Sequence, residues 1–395
     1  MSEWKALSSI TSKIGSGSTP RGGNSVYSDS GISFIRSQNV LDMDFSTENL
    51  AFINDNQAEK LNNVIVEKND ILLNITGDSI ARCTVVPEEI LPARVNQHVS
   101  IIRCKNTEES KYVMYYLQYM KKYLLQISKV GGTRNALTKE AIGKLPIKLS
   151  DDCNKISKIL DNIDQKIQIN NQINQELEDM AKTLYDYWFV QFDFPDQNGK
   201  PYKSSGGKMV YNPELKREIP EGWGVESVGN LLDKVTKAEK IENNSIEFVG
   251  RIPVIDQSQK YIAGFTNNQN SLIQPQNGHI IFGDHTRVVK FINFDYARGA
   301  DGTQVLISNN ENISNILLYH MIEDFDLSNY GYARHFKFLK EKIVIVPDKE
   351  VSSRFETQAN VIYEKIKNNI FENQELTQLR DWLLPMLMNG QVKVE

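Results

Sequence analysis

One long heptad segment occurs twice in this 395-residue chain, and that duplication limits the folds open to it. Ile156, Leu160, Ile163, Ile167, Asn170, Asn174, Leu177, Ala181 and Leu184 are spaced by alternating steps of four and three, the seam of a long helix that pairs with another. Adding 199 to each number gives Phe355, Ala359, Ile362, Ile366, Asn369, Asn373, Leu376, Arg380 and Leu383. Eight of the fifteen residues from Ile163 to Leu177 are then identical. Two asparagines on each seam cost stability and are tolerated where they fix register. An antiparallel pair with a pseudo-twofold near Gln172 and Phe371 would set Asn170 against Asn373 and Asn174 against Asn369. Connectivity favours the same arrangement, because the intervening chain must leave the end of one helix and enter the start of the other. Parallel packing would need about 50 Å of extra run at 1.5 Å per residue.

The length admits two or three domains, and 40% hydrophobic residues can fill their cores. No run of eighteen apolar residues and no apolar leader at MSEWKALSS is present, so a cytoplasmic protein without a membrane span is expected. Cys83, Cys104 and Cys153 have no metal-ligand spacing and the five histidines are scattered, which argues against zinc and structural disulfides. The net charge of -5 is unevenly placed: residues 1–150 carry 18 basic and 15 acidic side chains, residues 151–196 carry 4 and 10. Contact with a polyanion must therefore come from local basic loops or from a partner.

The expected fold class is α+β: two α+β domains separated by two long helices that form an antiparallel coiled coil, in a pseudo-twofold internal repeat. The divisions are 1–150 for the first globule, 151–195 for the first helix, 196–219 for a polar linker, 220–350 for the second globule and 351–395 for the second helix. Asn69 to Val86 reads as strand, polar turn and strand, and Ser110 to Ile127 as a helix carrying a tyrosine stripe, a candidate stacking surface. In the second half, Gly278 to Phe291, Ala297 to Ser308 and Ile313 to Ile322 answer the corresponding parts of the first, and Trp223 stands where Trp4 did.

No phosphate loop, dinucleotide fingerprint or base-holding Asn/Asp-Pro-Pro-aromatic motif is present, so no cofactor is expected in this chain. A metal-nuclease pattern can be forced onto Pro195-Asp196 and Glu214 to Lys216, but these do not lie on paired strands. The stronger pattern is loops that set Arg or Lys among Gly, Asn, Gln and Thr, the residue types that read guanine and adenine from the major groove. In the first globule these are Arg21, Arg36, Gln38, Asn39, Asn74, Thr76, Ser79, Arg82, Arg94, Asn96, Gln97, His98, Thr133, Arg134 and Asn135. In the second they are Asp284, His285, Thr286, Arg287, Lys290, Arg298, Thr303, Gln304, Tyr332, Arg334, His335 and Lys337. Tyr187, Trp188, Phe189 and Trp382, large aromatics at helix ends, are candidate partner anchors.

With WFVQFDFP after the first helix, IPEGWGVESVGNLL at the restart, DILLNITGDSIARCTVV and VNQHVSIIR in the first globule, IPVIDQSQKYIAGFT and HIIFGD in the second, and LRDWLLPMLMNG at the end, the chain resembles the specificity subunit of Type I restriction-modification systems. That resemblance implies two target recognition domains, each reading half of a bipartite double-stranded DNA site, with spacer helices that dock two modification (methyltransferase) subunits. Restriction (helicase-nuclease) subunits would complete the complex, with S-adenosylmethionine, ATP and Mg on the partners. This chain would be a non-catalytic part of a site-specific deoxyribonuclease and adenine methyltransferase. The competing readings are a coiled-coil scaffold with protein-binding globules, the recognition subunit of a related system with fused nuclease and methylase, and an enzyme using the linker carboxylates.

Overall fold

In the computed structural model, which describes residues 3–20, 26–129, 135–233, 235, 238–299, 302–328, 331 and 334–394, the chain forms two compact units. The first is Met1–Gln168 with Asn373–Glu395 and the second is Ile169–Glu372. The long helices, Cys153–Tyr185 and Lys349–Asn389, are thus each shared between the units, and every unit is a globule plus one half of each helix.

The first globule contains β1 (Glu3–Ala6), β2 (Thr11–Ser16), β3 (Ile32–Ile35), β4 (Ala51–Ile53), β5 (Ile65–Val66), β6 (Ile71–Asn74), β7 (Cys83–Val85), β8 (Ala93–Val95), β9 (Val99–Cys104) and β10 (Pro146–Leu149). They form sheets in the orders β2-β9-β6-β7 and β4-β3-β8-β5, and the pair β1-β10. The run Ile71-Leu72-Leu73 is apolar throughout because both faces of its sheet are covered. Ile71 and Leu73 join one core with Ile102 and Tyr115, while Leu72 joins the other with Ile101 and Phe34, the alternation that a pleated strand requires.

The second globule repeats this plan. Its strands are β11 (Met209–Asn212), β12 (Arg217–Pro220), β13 (Gly224–Ser227), β14 (Ile252–Ile255), β15 (Gly264–Thr266), β16 (Leu272–Ile273), β17 (His279–Gly283), β18 (Val289–Ile292), β19 (Tyr296–Arg298), β20 (Thr303–Leu306) and β21 (Ile343–Val346). The sheet β15-β14-β19-β16 matches β4-β3-β8-β5, down to one parallel pair in each, β14 with β19 and β3 with β8. Likewise β18-β17-β20 matches β7-β6-β9, and β13-β21 matches β1-β10.

Both helix pairs run antiparallel inside their units. In the first, Ile156 and Leu160 near the start of one helix share a core with Leu384, Leu387 and Met388 near the end of the other. Asp164 there accepts from Arg380 at 2.8 Å and from the Tyr115 hydroxyl at 2.6 Å. In the second unit Ala181 shares a core with Phe355 and Ala359, and Asn369 donates to Asn174 at 2.8 Å, as the spacing predicts. Asn170, fully buried, donates to Glu372 at 2.8 Å, so a carboxylate one residue before Asn373 also takes part in the register.

Three expectations need correction. The tyrosine helix breaks at Met120 into Ser110–Tyr119 and Lys121–Ile127, and Tyr112, Tyr115 and Tyr116 are core residues, which leaves only Tyr119 and Tyr123 of the stripe exposed. The 196–219 stretch is folded rather than a slack linker. It holds the hairpin β11-β12, and Asp196 accepts from the amides of Asn198 and Lys200, which turns its carboxylate onto its own loop. Finally, the ladders align Ala6 with Ser227, so Val225 is the counterpart of Trp4. Trp4 is exposed, whereas Trp223 is buried beside Phe189 and Phe194.

Candidate nucleic-acid interface

Strand pairing brings the polar loops of the first unit to one end of one sheet. Ser16 and Leu73 both lie opposite Ser100, Asn74 opposite Val99, and Leu73 opposite Cys83. The loops after β2 and β6 and before β7 and β9 therefore leave together. The Ile35 carbonyl accepts from Asn96 N at 3.0 Å and Gly17 N donates to Asn96 O at 3.1 Å, which adds the loop after β3. A Cβ at Gly17 would lie 1.7 Å from the Val95 carbonyl oxygen, so only glycine permits this approach. Leu137 N donates to Ile75 O at 2.9 Å and Thr76 bridges Ala136, bringing Asn135 to the same place.

Within this cluster the side chains divide into two sets. Asn39, Asn74, Arg94 and Asn96 are buried and hold backbone. Asn39 accepts from Arg36 N and donates to the Ser46 and Glu48 carbonyls, and Asn74 donates to those of Ser37 and Val40. Arg94 reaches Ala58 O, Ala93 O and Asn62, and Asn96 accepts from His98 N. Their assignment as base readers is corrected: a side chain at 7% exposure or less that is bonded to backbone is scaffold. Gln38, Gln97 and Asn135 are exposed, and Arg36, Thr76, Ser79, Arg82 and His98 are half-buried. Arg36 donates to Asn49 O at 2.6 Å and lies over the Tyr27 ring. Thr19, Gln97, His98 and Thr76 form one hydrogen-bonded chain across three loops, with His98 Nδ1 2.5 Å from Thr76 Oγ1. Arg21, Thr133, Arg134 and Tyr332 lie outside the described residues.

In the second unit Gly283 pairs with Thr303 and Phe282 with Val289, so the loops around Asp284–Val288 and before Thr303 share one sheet end. Asp284 is buried and accepts the amides of His335 and Phe336, which ties in Arg334 and Lys337. His285, Thr286, Arg287, Arg334 and Lys337 are exposed, and Arg298 and Gln304 are half-buried. Asp284, Lys290, Thr303 and His335 are each 4% exposed and belong to the scaffold, which again corrects their assignment as readers. Lys290 donates to Asp256 O at 2.9 Å and Lys260 O at 2.5 Å, and burial pushes its ammonium down to about 8, opposed by Asp256. Sequence reasoning missed Gln257, whose backbone and side-chain oxygens accept from Thr286 Oγ1 and His285 N. It follows the apolar run IPVI just as the chosen loop 36–39 follows ISFI, and that parallel was the available signal.

Trp188 and Phe189, expected to anchor a partner, are 2% and 1% exposed and pack on Phe355 and Trp223. The π-helical turn Asp186–Val190 rotates these rings into the second unit's core. Tyr187 and Trp382 remain on the surface. Ile169, Ile173, Met180, Tyr187 and Val190 are also exposed, at helical spacings of four, seven, seven and three, and they mark a second apolar face on the first helix. Among the described residues no group of three His, Cys, Asp or Glu could hold a metal, and no helix is long and apolar enough to cross a membrane.

The molecule is thus an internally duplicated α+β protein with one polar loop surface at the same sheet end of each unit. Residues 2–179 match the family described as the Type I restriction modification DNA specificity domain. The MjaIX Type I restriction enzyme specificity subunit of Methanocaldococcus jannaschii is 26% identical over 337 residues, covering 77% of this chain and 74% of its own. That of HindI from Haemophilus influenzae is 22% identical over 338 residues, covering 66% and 72%. The crystal structure of a Type I restriction-modification S subunit from M. genitalium shares the fold, with a TM-score of 0.56 at 14% identity over 98% of this chain and 96% of that one. Over most of its length the chain is thus similar to Type I restriction-modification specificity subunits, and its residues 2–179 carry the matching domain.

Proposed function

We propose that each loop surface reads one half of a bipartite double-stranded DNA target, and that the chain carries this reading into a complex whose chemistry lies on other subunits. The observation that carries this is the duplication of the loop surface itself: two units of one topology send different polar side chains from the same sheet end. Exposed Gln97, Gln38 and Asn135 in one, and Arg287, Arg334 and Lys337 in the other, have the chemistry of base and phosphate contacts. Two modification subunits dock on the long helices, and the exposed apolar face Ile169, Ile173, Met180 and Tyr187, flanked by Glu176 and Asp179, is a surface for one of them. S-adenosylmethionine, ATP and Mg, with the methyltransferase and helicase-nuclease activities, reside on the partners. The test is to sequence methylated DNA from cells that express the chain with its modification subunit. A mark at a two-part sequence is expected, and Arg287→Ala should alter one part only. Changes in both parts, or methylation that persists unaltered without this chain, would overturn the reading.

A further inference from the structure

The two loop surfaces are held by one device built in opposite senses. Ile35 O accepts from Asn96 N at 3.0 Å and Ile255 O from Gly299 N at 2.8 Å, so the crossing of β3 with β8 corresponds to that of β14 with β19. Ser37 and Gln257 each lie two residues past that crossing. Opposite them end the central strands β6 and β17, at Asn74 and Gly283, which pair with Val99 and Thr303 and whose amides donate to Arg82 O and Val288 O, both at 2.8 Å. In the first unit a small loop residue therefore faces an asparagine at the strand end. In the second a long loop residue faces a glycine.

The exchange is spatially complementary. Asn74 Nδ2 donates to Ser37 O at 2.8 Å and to Val40 O at 3.2 Å, clasping the loop from the strand. Gln257 clasps in the reverse direction, its Oε1 accepting from His285 N at 3.1 Å and its carbonyl from Thr286 Oγ1 at 2.6 Å. A Cβ on Gly283 would come within 3.0 Å of Gln257 Cβ, and one on Gly302 within 2.5 Å of its Nε2, so glycines at the end of β17 and just before β20 make room for this side chain. Loops that must present several groups to a rigid duplex gain discrimination from being held before they bind.

We propose that Asn74 and Gln257 are the positioning residues of the first and second half-site respectively, a side-chain amide that acts as donor in one unit and as acceptor in the other. This rests on the DNA-reading assignment above. The polarity makes the test specific. An aspartate at position 74 loses the donor, whereas a glutamate at position 257 keeps the acceptor for His285 N. In the complete complex with modification subunits, Asn74→Asp and Asn74→Ala should relax the first half-site by roughly tenfold in discrimination and leave the second intact, and Gln257→Ala should do the reverse. Gln257→Glu should mark the same second half-site as the parent, whatever its rate. Hydrogen exchange on the full-length chain supplies a readout independent of DNA: faster exchange at 284–286 in Gln257→Ala but not in Gln257→Glu, and at 36–40 in both Asn74 variants.

Three results would overturn the proposal. Gln257→Glu could change the base pair recognised, which would make Gln257 a direct reader. Both half-sites could relax together with a lowered melting temperature, or exchange and sequence could stay as in the parent. If exchange changes as expected while the parent complex marks no two-part sequence, the positioning role stands and the DNA-reading assignment falls.

Discussion

The two units place different chemistry at equivalent helix positions. In the first, Asp164 and Arg380 form a buried ion pair completed by the Tyr115 hydroxyl. The residues 199 away are Tyr363 and Ala181, and in the second unit Tyr363 packs against Phe291 at 5.1 Å with its hydroxyl 3.4 Å from His320 Nε2. One backbone plan thus supports a charged clasp in one unit and an aromatic cluster in the other. The difference matters because a duplicated helix could pair with its own copy. In such a pairing Asp164 would meet Ala181, or Arg380 would meet Tyr363, and a buried charge would lose its partner at a cost of several kcal/mol. The distribution of charge therefore makes the native pairing of first helix with last the favoured one.

The comparison breaks most severely at its charged end. Arg380→Ala is expected to cost about 3–5 kcal/mol, because it strands Asp164, whose carboxyl burial already holds above its ordinary value. Urea unfolding of the full-length chain measures this. Replacing both partners, Asp164→Leu with Arg380→Leu, should recover most of the loss, since an apolar pair avoids the desolvation cost of two ions. A double variant as unstable as the single one would show that the pair itself, and not the stranded charge, sets the stability.

In the aromatic unit, Trp188→Ala should cost about 3–5 kcal/mol by opening a cavity against Phe355 and Phe189. Tyr187→Ala, one residue away and 37% exposed, should leave the unfolding free energy within about 0.5 kcal/mol of the parent while weakening co-purification with a modification subunit. Equal destabilisation by the two would mean that the π-helical turn does not separate core from surface.

What was legible in the sequence follows from how each part is held. The helices were legible because a seam with a fixed 199-residue offset repeats side chains as well as shape, and the Asn174–Asn369 pair was readable from spacing alone. The globules repeat shape with little side-chain identity, so apparent matches misled. Visible Ala-Arg pairs at 93–94 and 297–298 suggest one alignment, but the ladders set Arg94 opposite Ile65 and Ala297 opposite Leu272, one residue out of phase. That these segments are loops at strand ends was legible because turn formers flank apolar runs. Which polar residue in a loop faces outward depends on contacts with loops far away in sequence, so Asn74 and Lys290 read as binders although they are braces.

A smaller effect belongs to the register pair. Asn369→Ala leaves Asn174 with an amide it must turn elsewhere, and is expected to cost about 1–3 kcal/mol. Asn174→Leu with Asn369→Leu should instead raise the melting temperature while allowing the helices more than one register, visible as oligomers in size-exclusion chromatography with light scattering. A uniformly monomeric double variant would assign the register to Asn170 and Glu372 and to the globules.

The comparison is sharpened further through pH, because the first unit clasps its loop with an uncharged amide, Asn74, whereas the second adds buried Lys290 to the clasp made by Gln257. Lys290 is held near 8, below its ordinary 10.5, so between these values the unfolded chain binds a proton that the fold does not. Stability contributed at this site must then rise with pH across the window, and the cost of the buried charge is present in full below it. Lys290→Met lacks that proton and also loses the bonds to Asp256 O and Lys260 O, a loss that does not vary with pH. Subtracting its unfolding free energy from that of the parent at a series of pH values cancels every other group. The difference should climb in the parent's favour from about pH 8 towards 10.5, and a flat difference would show that Lys290 stays charged among its carbonyls.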